Sequence, residues 1–272
     1  MKPIAVGMIA INEADMVIGA INSVYSIASR IVIVEGADVH YEMASNRGLS
    51  LDATADVIRA FPDPQRKITF IQHGWAGDDR EGSGKVDLRQ RYASELRDFD
   101  GWLLQMDADE RYNSAGRLWL QRIAQSDDAL VWCAGLQQAH FWKREGQIIL
   151  GGYFSLPHAR IFRFRPGTEY VWRDESSHNA PEYGGCLLTD KMLKRVKSII
   201  VSGEKAFQNG PVVHHYGFCR DGFRMKAKNA YYVRRGEAKS RPMTTECRQS
   251  WFADSVSSRC TVLPWCGQSV FD

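Results

Sequence analysis

The first 110 residues alternate between two hydrophobic patterns, and this alternation limits the possible folds more than any other feature of the sequence. Short apolar, β-branched runs predict strands, and apolar residues spaced three or four positions apart predict helices. The predicted strands are 3–11, 30–36, 67–73 and 102–106, and the predicted helices are 13–28, 51–61 and 85–99. Strands joined by helices form parallel sheets that are covered on both faces. We therefore predict an α/β fold with a Rossmann-like, mixed but mainly parallel sheet flanked by helices.

Every predicted strand of this series is followed at once by polar residues that can bind a ligand. These residues are Asn12 and Glu13, Glu35 to Asp38, His73, and Asp107 to Glu110. In parallel α/β sheets, ligands bind at the carboxyl ends of the strands. We therefore expect the four groups to lie along one edge of the sheet.

The fourth predicted strand ends in a dense group of acids, in the segment GWLLQMDADER at residues 101–111. Close carboxylates repel one another unless a cation or hydrogen-bond donors offset their charge. Alternate residues of an extended chain point to the same side, so Asp107 and Asp109 would face one way and Ala108 would face the fold. Two carboxylates on one side suit Mg²⁺ or Mn²⁺. The alternative, which stays open here, is that these acids are solvated at a strand exit.

The sequence lacks the glycine-rich motifs that bind phosphate groups in many nucleotide-binding proteins. Neither G-x-x-x-x-G-K-[ST] nor G-x-G-x-x-G follows the first predicted strand. The segment EGSGK at residues 81–85 is rich in glycine but follows no strand. A bound nucleotide would therefore be held through a metal ion and basic residues.

The pattern changes after Asn113. A helix is predicted at 114–124, and antiparallel or mixed strands are predicted at 128–142, 147–154 and 158–165. Residues 168–181 are polar and typical of a loop, and residues 210–237 pass from a strand with two histidines into a basic helix. The residues beyond Pro242 show no clear period.

Three segments together resemble the inverting family-2 glycosyltransferases, which have the GT-A fold. They are MIAINEADMVIGAINSVYSIASRIVIVEGAD at 8–38, LRQRYASELRDFDGWLLQMDADER at 88–111, and VVHHYGFCR at 212–220. In that family the second strand of the first segment usually ends in Asp, whereas this chain has Glu35 at that position. The resemblance implies a metal-dependent enzyme that transfers a sugar from a nucleotide-sugar donor to an acceptor hydroxyl, with inversion.

The resemblance also implies roles for individual residues. Those expected to contact the nucleotide-sugar are Ala10, Asn12, Glu13, Glu35, Asp38, Arg89, Asp107 and Lys226. Asp107 and Asp109 are the expected ligands of Mn²⁺ or Mg²⁺, and many GT-A enzymes add a late histidine. Here His214 and His215 are adjacent on a predicted strand and should point to opposite faces, so at most one is a ligand. Their spacing from Tyr216 and Gly217 favours His215, although a core position for one and a solvated position for the other would also fit the pattern.

An inverting transfer requires a base that takes the proton of the acceptor hydroxyl. The family supplies this base from a segment that corresponds here to WRDESSHNAP at 172–181. Where related proteins have His-Glu, this chain has His178 and Asn179, so three candidates stay open: Asp174, Glu175 and His178. We favour Glu175, and the alternative is a loop with surface charges.

Composition and charge limit the cellular setting and the partners. No run of 18 apolar residues and no export signal are present, so we predict no transmembrane segment and a cytoplasmic location with six reduced cysteines. The net charge is +3, but residues 190–248 contain 14 Lys and Arg against 5 Asp and Glu. This block indicates either an anionic partner or a solvated helical face.

The resemblance divides the chain into three parts. We predict a nucleotide-sugar-binding half at 1–113, an acceptor-binding half at 114–218 and a basic helical C-terminal extension at 219–272. The acceptor would be a carbohydrate, a lipid-linked glycan or another hydroxyl compound, and the basic block allows an anionic acceptor, including nucleic acid. The alternatives are a nucleotidyltransferase, which should carry a glycine-rich basic loop after the first strand, and a non-catalytic nucleotide- or nucleic-acid-binding module.

Overall fold

The computed structural model describes most of the N-terminal half and several separate parts of the C-terminal half. The described residues are 2–75, 83–126, 131–151, 158–171, 180–183, 186–187, 210–234, 251–252 and 260–264. Among them, no helix is long and apolar enough to span a bilayer.

A six-stranded sheet occupies the N-terminal half and has the strand order β3-β2-β1-β4-β9-β6. Its strands are β1 Ile4–Ala10, β2 Arg30–Glu35, β3 Ile68–Gln72, β4 Gly101–Asp107, β6 Cys133–Leu136 and β9 His158–Phe164. The first four are parallel to one another, and β9 is antiparallel to both β4 and β6. The connecting helices are α1 Val17–Tyr25, α2 Thr54–Arg59 and α3 Ser83–Glu95. The predicted mainly parallel α/β sheet is therefore confirmed.

The central strands of this sheet are buried on both faces and contribute alternate residues to two hydrophobic layers. In β1, Val6 and Met8 face the layer that contains α1, α2 and α4 Ser114–Gln125, whereas Ala5 faces the layer that contains α3. Helix α3 packs very close to β1, because a Cβ atom on Gly7 would lie 2.5 Å from Cε2 of Tyr92. The apolar residues of both layers account for the continuous hydrophobic runs of the strands.

A second, five-stranded sheet has the order β14-β8-β7-β13-β5. Its strands are β5 Glu110–Tyr112, β7 Gln138–Trp142, β8 Arg144–Leu150, β13 Val213–Phe218 and β14 Thr261–Pro264. Strands β7 and β13 are parallel, and helix α5 Gly222–Arg234 follows β13. Three short strands, β10 Thr168–Glu169, β11 Glu182–Tyr183 and β12 Cys186–Leu187, form a separate antiparallel sheet.

The structure departs from the sequence prediction in the second half of the chain. The single strand predicted at 128–142 is instead two strands, β6 and β7, which lie in different sheets on either side of Gln137. Both are buried, so their hydrophobicity shows no break where the chain changes sheets. Strands β5 and β14 were not predicted, since they have only three and four residues and no clear alternation.

Candidate active site

The carboxyl ends of four parallel strands meet at one edge of the large sheet. In the register of the strands, Ala10 lies opposite Glu35, Glu35 lies opposite Gln72, and Ile9 lies opposite Asp107. The groups that follow the strands therefore share one edge, as the sequence pattern predicts. This edge is the location of the candidate site.

The two aspartates of the DAD motif lie at the turn that leads from β4 into β5. Strand β4 ends at Asp107, so the backbone does not continue as a strand through Asp109. Ala108 is nevertheless buried in the core, as expected, and Asp109 is itself 8% exposed. The backbone N–H of Asp107 donates a hydrogen bond to Oε2 of Glu110 over 3.2 Å. Glu110, the acid that follows the DAD motif, thus stabilises the turn.

Both aspartates are ionised at neutral pH. Burial acts to raise the pKa of Asp107, but Lys85 and Arg89 lower it below the usual range. Burial likewise acts to raise the pKa of Asp109, whereas His215, Lys228 and Arg220 lower it. Positive charges around the turn therefore keep both carboxylates charged, although Asp109 is buried and Asp107 is partly buried.

The two carboxylates fit a divalent cation. Atom Oδ1 of Asp107 and atom Oδ1 of Asp109 are buried and have no hydrogen-bond partner among the described residues. Ionised oxygen atoms are the ligands that Mg²⁺ and Mn²⁺ prefer. In the described part of the chain, no group of three or more His, Cys, Asp and Glu side chains is arranged to hold a metal by itself.

Helix α3 places two cations beside Asp107. Nη2 of the buried Arg89 lies 3.6 Å from Oδ1 of Asp107, and Nζ of Lys85 lies 4.0 Å from Oδ2. Because Lys85 and Arg89 are four residues apart on the helix, they project from the same face. The resemblance of the sequence segments implied a role for Arg89 but not for Lys85, which its spacing of four residues from Arg89 could have revealed.

Arg220 connects Asp109 with the loop after β1, and the sequence analysis did not single it out. Its guanidinium forms an ion pair with Glu13, lies 3.3 Å from Oδ1 of Asp15 and lies 3.7 Å from Oδ2 of Asp109. Burial, followed by repulsion from Asp109, raises the pKa of Glu13 to about 8 against the opposing effect of Arg220 and Lys228. The only sequence signal for Arg220 is its place in the segment VVHHYGFCR.

Lys228 of helix α5, rather than Lys226, lies on the side of the acids. Lys226 is exposed on the other side of the helix. Nζ of Lys228 donates a hydrogen bond to the carbonyl of Gly217 over 3.4 Å, and its charge acts on both Glu13 and Asp109. A donor contact by Lys226 therefore stays a prediction that this geometry does not support.

The two adjacent histidines of β13 point to opposite faces, as predicted. Nε2 of His215 lies 3.8 Å from Oδ1 of Asp109, whereas His214 packs against Phe141 with ring centroids 5.3 Å apart. Burial lowers the pKa of each histidine to about 4. The structure therefore brings His215, and not His214, to the DAD turn.

His140 of β7 is a further neighbour of the site that sequence reasoning missed. Its Nδ1 lies 2.9 Å from Nδ1 of His215, and the two rings are nearly perpendicular, at 73°. The two residues are far apart in sequence and meet only because β7 and β13 pair. No local pattern could have indicated this contact.

Glu110 differs from the two aspartates because both of its carboxylate oxygens accept hydrogen bonds within the protein. It is completely buried, forms an ion pair with Arg160 and accepts a hydrogen bond from Nε2 of Gln138 over 2.7 Å. Burial raises its pKa to about 7, and Arg160 opposes this rise. Glu110 therefore stabilises the turn between β4 and β5.

The predicted donor-contacting residues after β1 and β2 mainly hold loops together. Both carboxylate oxygens of the buried Glu35 accept hydrogen bonds, from the backbone N–H of Ser50 at 2.6 Å and from Nε2 of Gln72 at 2.9 Å. Asn12, in a left-handed conformation with φ of 53°, donates to the carbonyl of Met43 and accepts from the N–H of Leu51. Ala10 is buried at the end of β1. Contacts of these residues with a donor stay predictions.

Helix α5 covers the segment 36–52 through a row of polar contacts. Arg224 lies 3.3 Å from Asp15 and 3.6 Å from Asp52. The hydroxyl of Tyr231 donates to Oδ2 of Asp38 over 3.2 Å, and the last contacts of the row join Arg234 to Glu42 and to the carbonyl of His40. These contacts thus hold the segment 36–52 against helix α5.

The three candidates for the catalytic base, Asp174, Glu175 and His178, lie outside the described residues. Their roles, and the choice among them, stay predictions.

No protein-family model matches the sequence, and a comparison with curated proteins gave no match. Solved structures with partial similarity include residues 1–349 of S. aureus TarS, with a TM-score of 0.44 and 11% identity over 92% of this chain and 70% of that chain. A longer TarS structure gives the same score and identity, over 92% of this chain and 42% of that one. The fold is α/β with a mainly parallel sheet, as the strand topology shows.

A further similar structure is glucosyl-3-phosphoglycerate synthase from Mycobacterium tuberculosis, solved with Mn²⁺, uridine diphosphate and glucosyl-3-phosphoglycerate. Its TM-score is 0.31 at 12% identity, and the match covers 53% of this chain and 45% of that chain.

Proposed function

We propose that this chain is a metal-dependent glycosyltransferase that moves a sugar from a nucleoside-diphosphate-sugar to an acceptor hydroxyl with inversion. The observation that carries the proposal is the pair of ionised carboxylates, Asp107 and Asp109, whose buried Oδ1 atoms lack hydrogen-bond partners among the described residues. The resemblance of the three sequence segments to family-2 glycosyltransferases supports the same activity.

The arrangement of charge suits a diphosphate that is bound together with a cation. Mg²⁺ is commonly held by one or two carboxylates together with substrate phosphates. When bound at Asp107 and Asp109, Mn²⁺ or Mg²⁺ would offset the negative charge that develops on a departing nucleoside diphosphate. The position of these acids at the sheet edge, beside basic side chains that suit phosphate groups, supports metal dependence.

Cations of the chain flank the acids on two sides. Lys85 and Arg89 of α3 lie beside Asp107, and Arg220 and Lys228 lie on the side of Asp109. Guanidinium groups bind phosphate oxygens through paired N–H donors, whereas lysine acts as a point charge. In the proposed reaction these groups orient the diphosphate while the bond from its oxygen to the sugar breaks and the acceptor oxygen bonds to the sugar.

The remaining parts of the proposal come from the sequence. Glu175 is our favoured base for the acceptor proton, ahead of Asp174 and His178. The acceptor would be a carbohydrate, a lipid-linked glycan or another hydroxyl compound, with an anionic acceptor, including nucleic acid, as a variant that the basic segment 190–248 motivates. A cytoplasmic location is part of the same proposal and stays a prediction.

The first prediction is a metal-linked stabilisation by one nucleoside diphosphate. In a thermal-shift screen of ADP, CDP, GDP and UDP with and without Mn²⁺, one diphosphate should raise the melting temperature only when metal is present. Asp109→Asn should abolish this rise, because it removes the charge that holds the cation. Asp100→Asn serves as the control, since Asp100 is exposed and pairs only with Lys2 among the contacts described.

The outcome that contradicts the proposal is an equal rise in melting temperature for Asp109→Asn and for the wild type, or no rise with any diphosphate.

The reaction products distinguish the alternative functions. With the matching nucleoside-diphosphate-sugar, a glycosyltransferase releases a nucleoside diphosphate, whereas a nucleotidyltransferase forms pyrophosphate from a nucleoside triphosphate and a sugar phosphate. A non-catalytic binding module would show the stabilisation without either product.

A further inference from the structure

His215 and His140 form a buried pair next to the DAD turn. They lie directly opposite each other in the parallel pairing of β13 with β7, so their side chains emerge on the same face of the second sheet. His140 is 2% exposed, and its Nδ1 lies 2.9 Å from Nδ1 of His215. At that distance one ring must donate an N–H and the other must accept it.

The two nitrogens of His215 face different partners. Nδ1 is turned to His140, and Nε2 is turned to Asp109, 3.8 Å from Oδ1. If His140 donates to His215, the proton of a neutral His215 is on Nε2, where it blocks a cation. If His215 donates to His140, Nε2 carries a lone pair on the side of Asp109. The hydrogen bond between the rings therefore decides whether His215 can bind a metal.

The surroundings of His215 keep its ring in this orientation. Gly217 lies against the ring, since a Cβ atom there would be 2.8 Å from Nε2 of His215 and 2.9 Å from Oδ2 of Asp109. Phe218 packs edge-on against both histidine rings, with centroids 5.9 Å from His215 and 6.2 Å from His140. The orientation of Nε2 towards Asp109 thus has support on more than one side.

We propose that His140 is a positioning residue that accepts the Nδ1–H of His215 and so holds Nε2 of His215 unprotonated towards the cation at Asp109. Histidines that bind metals almost always donate their other ring N–H to a fixed acceptor. The usual acceptor is a carboxylate, a carbonyl or water, whereas here it is a second imidazole. This inference rests on the proposed function for the presence of the cation, but the tautomer of His215 exists with or without it.

The second prediction concerns this tautomer and the binding of metal. In metal-free protein labelled with ¹⁵N, long-range ¹H–¹⁵N spectra should show His215 protonated on Nδ1. His140→Leu removes the acceptor and should lower the affinity for Mn²⁺ alone, measured by electron paramagnetic resonance of free Mn²⁺, by about tenfold or more. His140→Asn places an amide oxygen near the former Nδ1 and should keep the affinity within about threefold of the wild type.

His214→Leu is the matched control, because His214 is a buried neighbour on the same strand that faces away from Asp109. It should leave both the His215 spectrum and the Mn²⁺ affinity unchanged. A wild-type His215 protonated on Nε2, or an unchanged affinity in His140→Leu, would overturn the role of His140. Absence of Mn²⁺ binding to the wild type would instead overturn the proposed metal site, while the spectrum still tests the tautomer.

Discussion

At the scale of single residues, the site balances buried acids against buried bases. Asp109 is buried, Glu13 and Asp107 are partly buried, and Arg89 and Arg220 are buried beside them. Removing one partner of such a pair costs more than the pair itself contributes, because an uncompensated buried charge remains. Glu13 shows this balance most clearly, since repulsion from Asp109 and attraction by Arg220 act on the same carboxyl.

The third prediction is a pH-dependent stability that originates from Glu13. Its pKa rises from 4.5 to about 8 on folding, mainly through burial. The folded chain therefore binds more protons than the unfolded chain between these values, and stability is lost as the pH rises through this interval. Replacing Glu13 by Gln should remove a loss on the order of 3 kcal/mol between pH 5 and pH 8.

Urea unfolding at several pH values in the presence of EDTA measures this effect. Glu42→Gln is a suitable control because Glu42 lies on the surface. A difference between Glu13→Gln and the wild type that stays constant across the pH range would show that Glu13 is not responsible.

At the scale of elements, sequence patterns were sufficient for the N-terminal half and insufficient for the second sheet. Strands β1 to β4 are long and apolar and alternate with amphipathic helices, so both their type and their shared edge were predictable. The pattern could not show that 128–142 changes sheets at Gln137, because both parts are buried. Contacts such as His140 with His215, or Arg220 with Glu13, depend on tertiary pairing and leave no local signal.

The fourth prediction concerns helix α5 and the segment 36–52 that it covers. The double variant Arg224→Gln with Arg234→Gln should speed amide hydrogen exchange in 36–52, because it removes the ion pairs at Asp15, Asp52 and Glu42. Global stability should fall by less than about 1 kcal/mol, since the pairs are partly exposed. Exchange measured by mass spectrometry tests this expectation against Lys226→Gln, a control on the exposed side of the same helix. Unchanged exchange in 36–52 would show that α5 does not restrain this segment.

At the scale of the whole molecule, the site joins the two sheets. The large sheet supplies Asp107, and the second sheet supplies His215, which pairs with Glu110 across β13 and β5. The site should therefore form and disappear together with the packing of the two sheets.

The fifth prediction follows from this dependence. Tyr112 is completely buried on β5, and Tyr112→Ala should lower the free energy of unfolding by about 3–5 kcal/mol. Urea transitions followed by tryptophan fluorescence and by release of Mn²⁺ should shift together to lower urea concentration. Leu118→Ala, at a position 55% exposed, should shift neither transition noticeably. Release of Mn²⁺ well before the fluorescence change would indicate a site that depends on one sheet alone.

The contact between Gly7 and Tyr92 has a consequence for the recognition of related enzymes. Even one methyl group at position 7 would collide with the ring of Tyr92, and any outward shift of α3 that relieved the collision would carry Lys85 and Arg89 with it. The placement of Lys85 and Arg89, which we propose to bind phosphate, thus depends on a strand residue on the opposite side of the Tyr92 ring. A search for chains of the same activity should give a glycine at this position weight alongside the acidic motif.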